Sequence, residues 1–506
     1  MGNTAEQLQP KPICAETVLV SDETNIQSAP PAEPAPAPIQ TAPKQAAPRG
    51  AGVGPAYRMP ARPEDLGIPD NMVEDLFCRR VLASRRTTIR QAAQEIGLSQ
   101  SIATIVAEDL RTRNELEFHG LDGRDYMVGL TEQGRQNTME AMRDCSYSDT
   151  LPVPLSLYIQ TVNAQKAKLK ITRDNVKAAF NDLVVSDALL DQLGPAFLND
   201  GAIFLYGPPG TGKTSLAERM IRIHGDAILI PHAIEVDGEI ITIFDPAVHH
   251  PVSPQPTGLD PRWVLCARPI VIVGGELTMD MVDLELDAKS GVYRAPLQML
   301  ASNGILVVDD FGRQAIRPSD LLNRWIIPLS RNVDFLKLAN GSKFTVPFEL
   351  KLVCSTNLNP NSLGDDAFLR RLRNKVFVGS IEEEAFNWIL ARVAQAKGLQ
   401  VTAEGAERLR EQAQQHLGEL RPYLAVDFCE LAIGICEYEG IARNLDTRMI
   451  DRVAGVYFVN ELAAEQPKSS AEQAAALAQQ AAALAQSSAN ANPLGFDPFE
   501  LTLHGG

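Results

Sequence analysis

Gly207, Gly212, Lys213 and Thr214 meet the G-x-x-x-x-G-K-[ST] spacing within AIFLYGPPGTGKT, Ala202 to Thr214. Each residue type suits the capture of phosphate. Gly207, Gly210 and Gly212 let backbone N–H groups close around phosphate oxygens, with Pro208, Pro209 and Thr211 completing the loop. The N-terminus of the following helix adds partial positive charge. Lys213 reaches the β and γ phosphates, and the Thr214 hydroxyl is placed to ligate Mg²⁺. The flanks agree, because Ala202 to Tyr206 read as a buried strand and Thr214 to Ile223 run at helical spacing. A Gly-rich turn with no ligand is the plainer alternative, and the strand–loop–helix setting weighs against it.

Two further polar groups end apolar strands. GILVVDDFGR, Gly304 to Arg313, delivers Asp309 and Asp310 at a strand's C-terminal end, where open α/β sheets bind ligands. Asp309 is expected to hold Mg²⁺ through its water shell. Asp310 is expected to polarise the attacking water as general base, since hydrolysis needs a carboxylate near the γ-phosphate. KLVCSTN, Lys351 to Asn357, ends on Asn357, which has the chemistry to hydrogen-bond the γ-phosphate or the lytic water. An acidic turn and a commonplace Ser-Thr-Asn strand end are the alternatives.

The elements that must position these groups alternate between short apolar strands and longer segments. AILIP, RPIVIVGG, GILVVDD, ELKLVCSTN and NKVFVG predict a parallel sheet covered on both faces. Val176, Phe180, Leu183, Leu189, Leu190 and Leu193 recur at helical spacing before the phosphate-loop strand.

Together these residues resemble the AAA+ ATPase family over roughly Val176 to Val459. GPPGTGKT is similar to its phosphate loop, ILVVDD to its metal-and-base motif and CSTN to its first sensor. DDAFLRRLRNKVFV resembles the arginine-finger segment, with Arg370 and Arg371 as candidates. The resemblance implies ATP and Mg²⁺ as cofactors. It also implies a homo-oligomer, commonly a hexameric ring, in which that arginine reaches a neighbour's ATP. In other NTPases such an arginine is worth some 10³ to 10⁵ in rate. A solvated pair on a helix is the alternative for Arg370 and Arg371. The pattern is most similar to MoxR-like members carrying an amino-terminal winged helix.

Three departures from the family stand out. Asp310 occupies a position where most members carry Glu, and its shorter reach bears on the base assignment. Asp309 lies 102 positions after Gly207. That leaves room for inserts such as VDGEIITIFDP and GGELTMDMVDLEL, which would face a central pore or decorate an edge. His249-His250 in this stretch has no spaced third ligand, so a loop is expected over a metal site. The third departure lies in the lid. Helical spacing dominates from Ser380 to Val459, opened by a Ser380–Glu383 capping box. The second-sensor position of the family aligns with Val426, while Arg421 five residues earlier either substitutes or the role is lost.

Before the ATPase, TTIRQAAQEIGLSQSIATIVAEDLRTRNEL reads as two helices split at Gly97, with Ser99 as an N-cap. FHGLDGRDYMVGL reads as a hairpin, and YMVGLTEQGR resembles the last wing strand and closing helix of a winged helix. Asp70 to Asp149 holds 10 Arg and Lys against 14 Asp and Glu. That negative balance favours protein contact over DNA despite the Arg79, Arg80, Arg85, Arg86 and Arg90 cluster.

The expected organisation is a disordered Pro/Ala-rich tail (1–66), a winged-helix domain (67–150), a linker and leading helices (151–200), an α/β ATPase core (201–379), a helical lid (380–462) and an Ala/Gln-rich tail (463–506). QAAALAQ occurs twice in that last tail, and LGFDPFELTLHGG reads as a docking peptide or as a self-packing end. A formal charge of −16 argues against coating nucleic acid or anionic membrane. Seven cysteines without C-x-x-C or zinc spacing suit reduced thiols in the cytoplasm. No run has the length of a membrane span. The reading is an ATP-hydrolysing remodeller of an unknown protein client. The alternatives are a DNA-associated regulator or loader, and a nucleotide-switched scaffold with slow turnover.

Overall fold

The computed structural model describes residues 57–84, 86–166, 171–199, 201–359 and 373–458. An N-terminal module runs α1 (Asp70–Ala83), β1 (Thr87–Thr88), α2 (Ile89–Glu95), α3 (Gln100–Thr112), β2 (Leu116–Asp122), β3 (Asp125–Leu130) and α4 (Glu132–Asp144). Its strands lie in the order β1-β3-β2. Ser99 caps α3 by accepting from the Ile102 N–H, and Thr131 caps α4 from Gly134. Gly97, at φ 68°, makes the left-handed turn between α2 and α3 that glycine tolerates best.

Residues 57–66 fall within the Pro/Ala-rich tail by composition, yet they pack onto the fold. Tyr57 meets Trp263 edge-on with ring centroids 5.8 Å apart, Arg58 bridges Leu259, and Leu66 is buried. No periodic apolar pattern announces this segment, because distant residues hold it rather than its own secondary structure. The rest of that tail, 1–56, the Ala/Gln-rich tail, 463–506, and the end of the expected lid, 459–462, lie outside the described residues.

β4 (Val153–Pro154) and α5 (Leu155–Ala164) lead through α6 (Arg173–Ala179) and α7 (Asp187–Leu198) to β5 (Ile203–Tyr206) and α8 (Lys213–Arg219). Then come β6 (Ala227–Pro231), β7 (Ala233–Val236), β8 (Glu239–Thr242) and β9 (Trp263–Ala267). β10 (Ile270–Val273), β11 (Glu285–Asp287), β12 (Val292–Arg294) and β13 (Ile305–Val308) follow. Next are β14 (Val333–Lys337), β15 (Lys343–Pro347), β16 (Lys351–Thr356) and β17 (Asn374–Phe377).

The central sheet is parallel throughout, in the order β10-β13-β16-β5-β17. The inner strands β13, β16 and β5 are buried almost throughout, as a sheet covered on both faces requires. The edge strands β10 and β17 alternate buried and more exposed residues. This is the parallel-sheet core with a helical unit expected of a P-loop AAA+ fold. One strand departs from expectation: AILIP, as β6, pairs antiparallel with β9 outside that sheet. Its burial alternates, with Ile228 and Ile230 inside and Leu229 half-buried, as befits a two-stranded ribbon.

The long interval before Asp309 holds a second sheet, β11-β12-β8-β7-β4. β7 and β8 turn through Asp237 (φ 52°) and Gly238 (φ 84°), two left-handed residues that match the strand twist. Ala233, Ile240 and Val292 share the N-terminal module's core, while Ile234, Ile241 and Tyr293 pack toward α5 and the β14–β15 hairpin. The insert thus seats the N-terminal module on the parallel-sheet core. β4, which reads as linker in sequence, pairs parallel with β7. His249 is a buried structural residue. Its Nδ1 accepts from the Asp245 N–H (2.9 Å), leaving Nε2–H to donate to the Leu300 carbonyl (2.9 Å).

Four helices, Glu383–Lys397, Ala403–Leu417, Pro422–Glu439 and Thr447–Tyr457, form a unit around Phe386, Leu390, Leu409, Phe428 and Ile450. The expected Ser380–Glu383 capping box is absent: the first helix starts at Glu383, with Glu382 as N-cap and no side-chain cap bond. The Ile381 N–H donates to the Leu420 carbonyl (3.0 Å), which holds that residue outside the helix. Glu383 and Glu384 instead place negative charge in the first turn. Among the described residues no helix is long and apolar enough to cross a membrane.

His224 gives a pH test of this packing. Burial, with the Arg268 charge adding to it, pushes its imidazole from 6.5 down to about 4. Between those values the unfolded chain binds the proton and the folded chain does not, so stability falls as pH falls. From pH 7 to pH 5 the loss is expected to be about 2 kcal/mol. Urea unfolding of the parent and His224→Leu at both pH values checks it, the variant lacking that increment.

Candidate functional site

β5 delivers the chain to Gly207, and α8 carries it away from Lys213. Two glycines of the loop are required by close approach. A Cβ on Gly207 would lie 2.1 Å from the Val378 carbonyl oxygen, and one on Gly210 would lie 2.0 Å from the Tyr423 ring. Both residues also sit at positive φ, 150° and 75°. Between them run Pro208 and Pro209, and the Thr211 hydroxyl donates to the Pro208 carbonyl at 3.0 Å.

Lys213 is buried, and its ammonium donates to the carbonyls of Gly207 (3.0 Å) and Pro208 (2.7 Å). Burial lowers its pKa, against the opposing pull of Asp310 and Asp309. It is therefore a desolvated cation held by neutral oxygens, which favours an incoming anion.

Asp309 is gripped on both carboxylate oxygens. Thr214 Oγ1 donates to Oδ2 at 2.8 Å, and Ser355 Oγ donates to Oδ1. The Asp309 carbonyl accepts from Gln314 Nε2 at 2.8 Å. Parallel pairing of β13 with β16, Val308 opposite Cys354, brings Ser355 alongside Asp309. Asp310 leaves the strand at φ 48°, a left-handed conformation that Asp tolerates better than most residues. There it is exposed, and it accepts from Asn357 Nδ2 at 3.0 Å. The Phe311 N–H to Ser355 carbonyl bond (2.6 Å) and the Thr356 hydroxyl to Phe311 carbonyl bond (2.7 Å) fasten this turn to the end of β16.

The helical unit reaches over the loop. Arg421, N-cap of Pro422–Glu439, donates from Nη1 to the Pro209 carbonyl at 3.4 Å and pairs with Glu419 at 2.7 Å. Arg421, the residue expected either to substitute as second sensor or to leave that role lost, thus contacts the loop. The site brings together Gly207 to Thr214, Asp309, Asp310 and Asn357. Arg370 and Arg371 lie outside the described residues. Sequence reasoning missed Ser355, Gln314 and Tyr423. Ser355 is legible only once the β13–β16 register is known, and Tyr423 only once the helical unit is docked.

The donor set suits a hard cation. The Thr214 hydroxyl and the Asp309 carboxylate are the oxygen ligands that Mg²⁺ takes alongside water and phosphate.

Residues 382–455, the helical unit, match a family model described as Domain of unknown function (DUF8689). No curated protein matches the chain. Among solved structures it is similar to the Thermotoga maritima RuvB Holliday junction branch migration motor, at 14% identity over 58% of this chain and 72% of that one, with a TM-score of 0.32. A point mutant of that RuvB gives 15% identity over 59% and 75%, with a TM-score of 0.33.

Proposed function

We propose that the chain is a Mg²⁺-dependent, ring-forming ATPase of the AAA+ family, MoxR-like, that remodels a protein client. The observation that carries the reading is the Thr214–Asp309 contact at 2.8 Å with the Asp310–Asn357 pair beside it. Three stretches far apart in sequence, the loop between β5 and α8, the end of β13 and the end of β16, meet at one end of the sheet, which supports this reading. Gly207 to Thr214 cradle the phosphates, and Lys213 offsets their charge. Thr214 and Asp309 would hold Mg²⁺, which when bound neutralises charge on the phosphate oxygens. Asp310 takes the proton of the attacking water, and Asn357 holds that carboxylate in place. Arg370 or Arg371 acts on the nucleotide of a neighbouring subunit.

The N-terminal module is read as a winged helix making protein contact. The start of α3, where a recognition helix would enter a groove, carries Ser101, which donates to the Ala61 carbonyl of the segment packed beside it (3.4 Å). Arg79 is buried and bonded to the Tyr147 carbonyl (2.9 Å), which removes it from the basic cluster. Exposed Glu108 and Asp109 on α3 repel phosphate further.

Steady-state phosphate release with and without Mg²⁺ tests the activity. Asp310→Asn is expected to keep ATP binding and lose about 10² to 10⁴ in turnover, the usual worth of a general base. Light scattering of that variant with ATP is expected to show a ring. A monomer under every nucleotide condition overturns the ring. Unchanged release by Asp310→Asn overturns the base assignment.

A further inference from the structure

The β14–β15 hairpin carries a charge arrangement that the nucleotide site does not use. Its antiparallel register sets Lys337 opposite Lys343 and Phe335 opposite Thr345. Leu336, Phe344 and Val346 face inward, so those four residues share the outer face. Phe335 is 53% exposed, and both lysines are exposed. Like charges directly opposite one another destabilise a strand pair. Among the described residues neither lysine has an ion-pair partner. Asp334, the hairpin's own acid, faces inward and is bound by Arg324 at 2.6 Å. In a chain of net charge −16, this face presents two unneutralised cations beside a bare aromatic ring.

That chemistry fits an acidic, apolar peptide. Two lysines are too few to track a phosphate backbone, which the chain's net charge also repels. The chain itself holds a matching segment: FDPFELTL, 496–503, places Asp497 and Glu500 among Phe496, Phe499, Leu501 and Leu503, and no Lys or Arg follows Lys468. Phe496 lies 38 residues beyond Phe458, the end of the described chain. A coil of that length spans about 35 Å, about the width of a domain. We propose that residues 496–503 dock on the outer face of this hairpin, with Asp497 and Glu500 on Lys337 and Lys343 and the apolar side chains on Phe335. The contact is independent of nucleotide chemistry.

Carbodiimide coupling of the full-length chain, followed by peptide mapping, tests the contact. The expected product joins Lys337 or Lys343 to Asp497 or Glu500. Its yield should be comparable with that of Lys397–Glu430, an ion pair at 2.8 Å, and independent of chain concentration. Lys337→Glu with Lys343→Glu removes both amines and should leave no product at 497 or 500. Adding Asp497→Lys with Glu500→Lys should restore coupling with the charges exchanged. Coupling at Lys397–Glu430 with no product at 497 or 500 overturns the proposal. Coupling of the two lysines to other carboxylates overturns it too, as does a yield that rises with chain concentration, which would give the face to a second copy.

Discussion

Lys213→Ala is expected to abolish Mg²⁺-dependent phosphate release, with a loss of at least about 10² in turnover, the scale set by removing one preorganised donor to developing charge. The expectation follows from the state of this ammonium in the loop. It is buried and bonded to two loop carbonyls, and among the described residues no carboxylate forms a salt bridge with it. Burial already lowers its pKa, so the fold holds a cation that an anion would stabilise. Truncation removes that charge while leaving the glycine turn and the Thr214–Asp309 contact in place. Folding stability should therefore change little. ATP should no longer raise the melting temperature, because the stabilisation tracks ligand affinity. Lys213→Arg should also fail, since a planar fork does not replace a point charge inside a closed loop. Phosphate release by Lys213→Ala at the parent rate would sink the assignment.

Legibility in the sequence followed the range of the interaction. The phosphate loop, ILVVDD and CSTN are local patterns whose strand ends fix their own chemistry, and the structure brings all three to one sheet edge. The helical unit was legible from spacing, but its first cap was not. The Ile381–Leu420 backbone bond that sets the helix start joins residues 39 apart. The second sheet was hidden for the same reason. β4 has two residues and β11 and β12 three each, too short for a period to show, and they become strands only through distant partners. The β14–β15 hairpin was within reach, since Asn340-Gly341 between alternating apolar residues is a strong turn signal. AILIP was misplaced because a short apolar run reads alike in a central sheet and in a ribbon.

Arg262→Met is expected to be the most destabilising of these substitutions, at about 3 to 5 kcal/mol. Its guanidinium and the Asp260 carboxylate are both essentially inaccessible, with side chains 2% and 1% exposed. Nε and Nη2 hold Asp260 at 3.0 and 2.9 Å, while Nη1 reaches the carbonyls of Leu66 (3.3 Å) and Pro152 (3.5 Å). The Asp260 N–H in turn donates to the Tyr57 carbonyl (2.9 Å). One buried pair thus ties segment 57–66, the start of β4 and the insert to each other where the N-terminal module meets the parallel-sheet core. Methionine fills similar volume but leaves the buried carboxylate with only the backbone N–H of residue 262 and removes the guanidinium donor from two carbonyls. The double variant Arg262→Met with Asp260→Leu removes the orphaned charge and should recover more than half of the loss, because an apolar pair often replaces a buried ion pair at little cost. Urea unfolding of the three chains measures both numbers. If Arg262→Met lies within about 0.5 kcal/mol of the parent, the range of an ordinary surface change, the pair does not hold the module to the core.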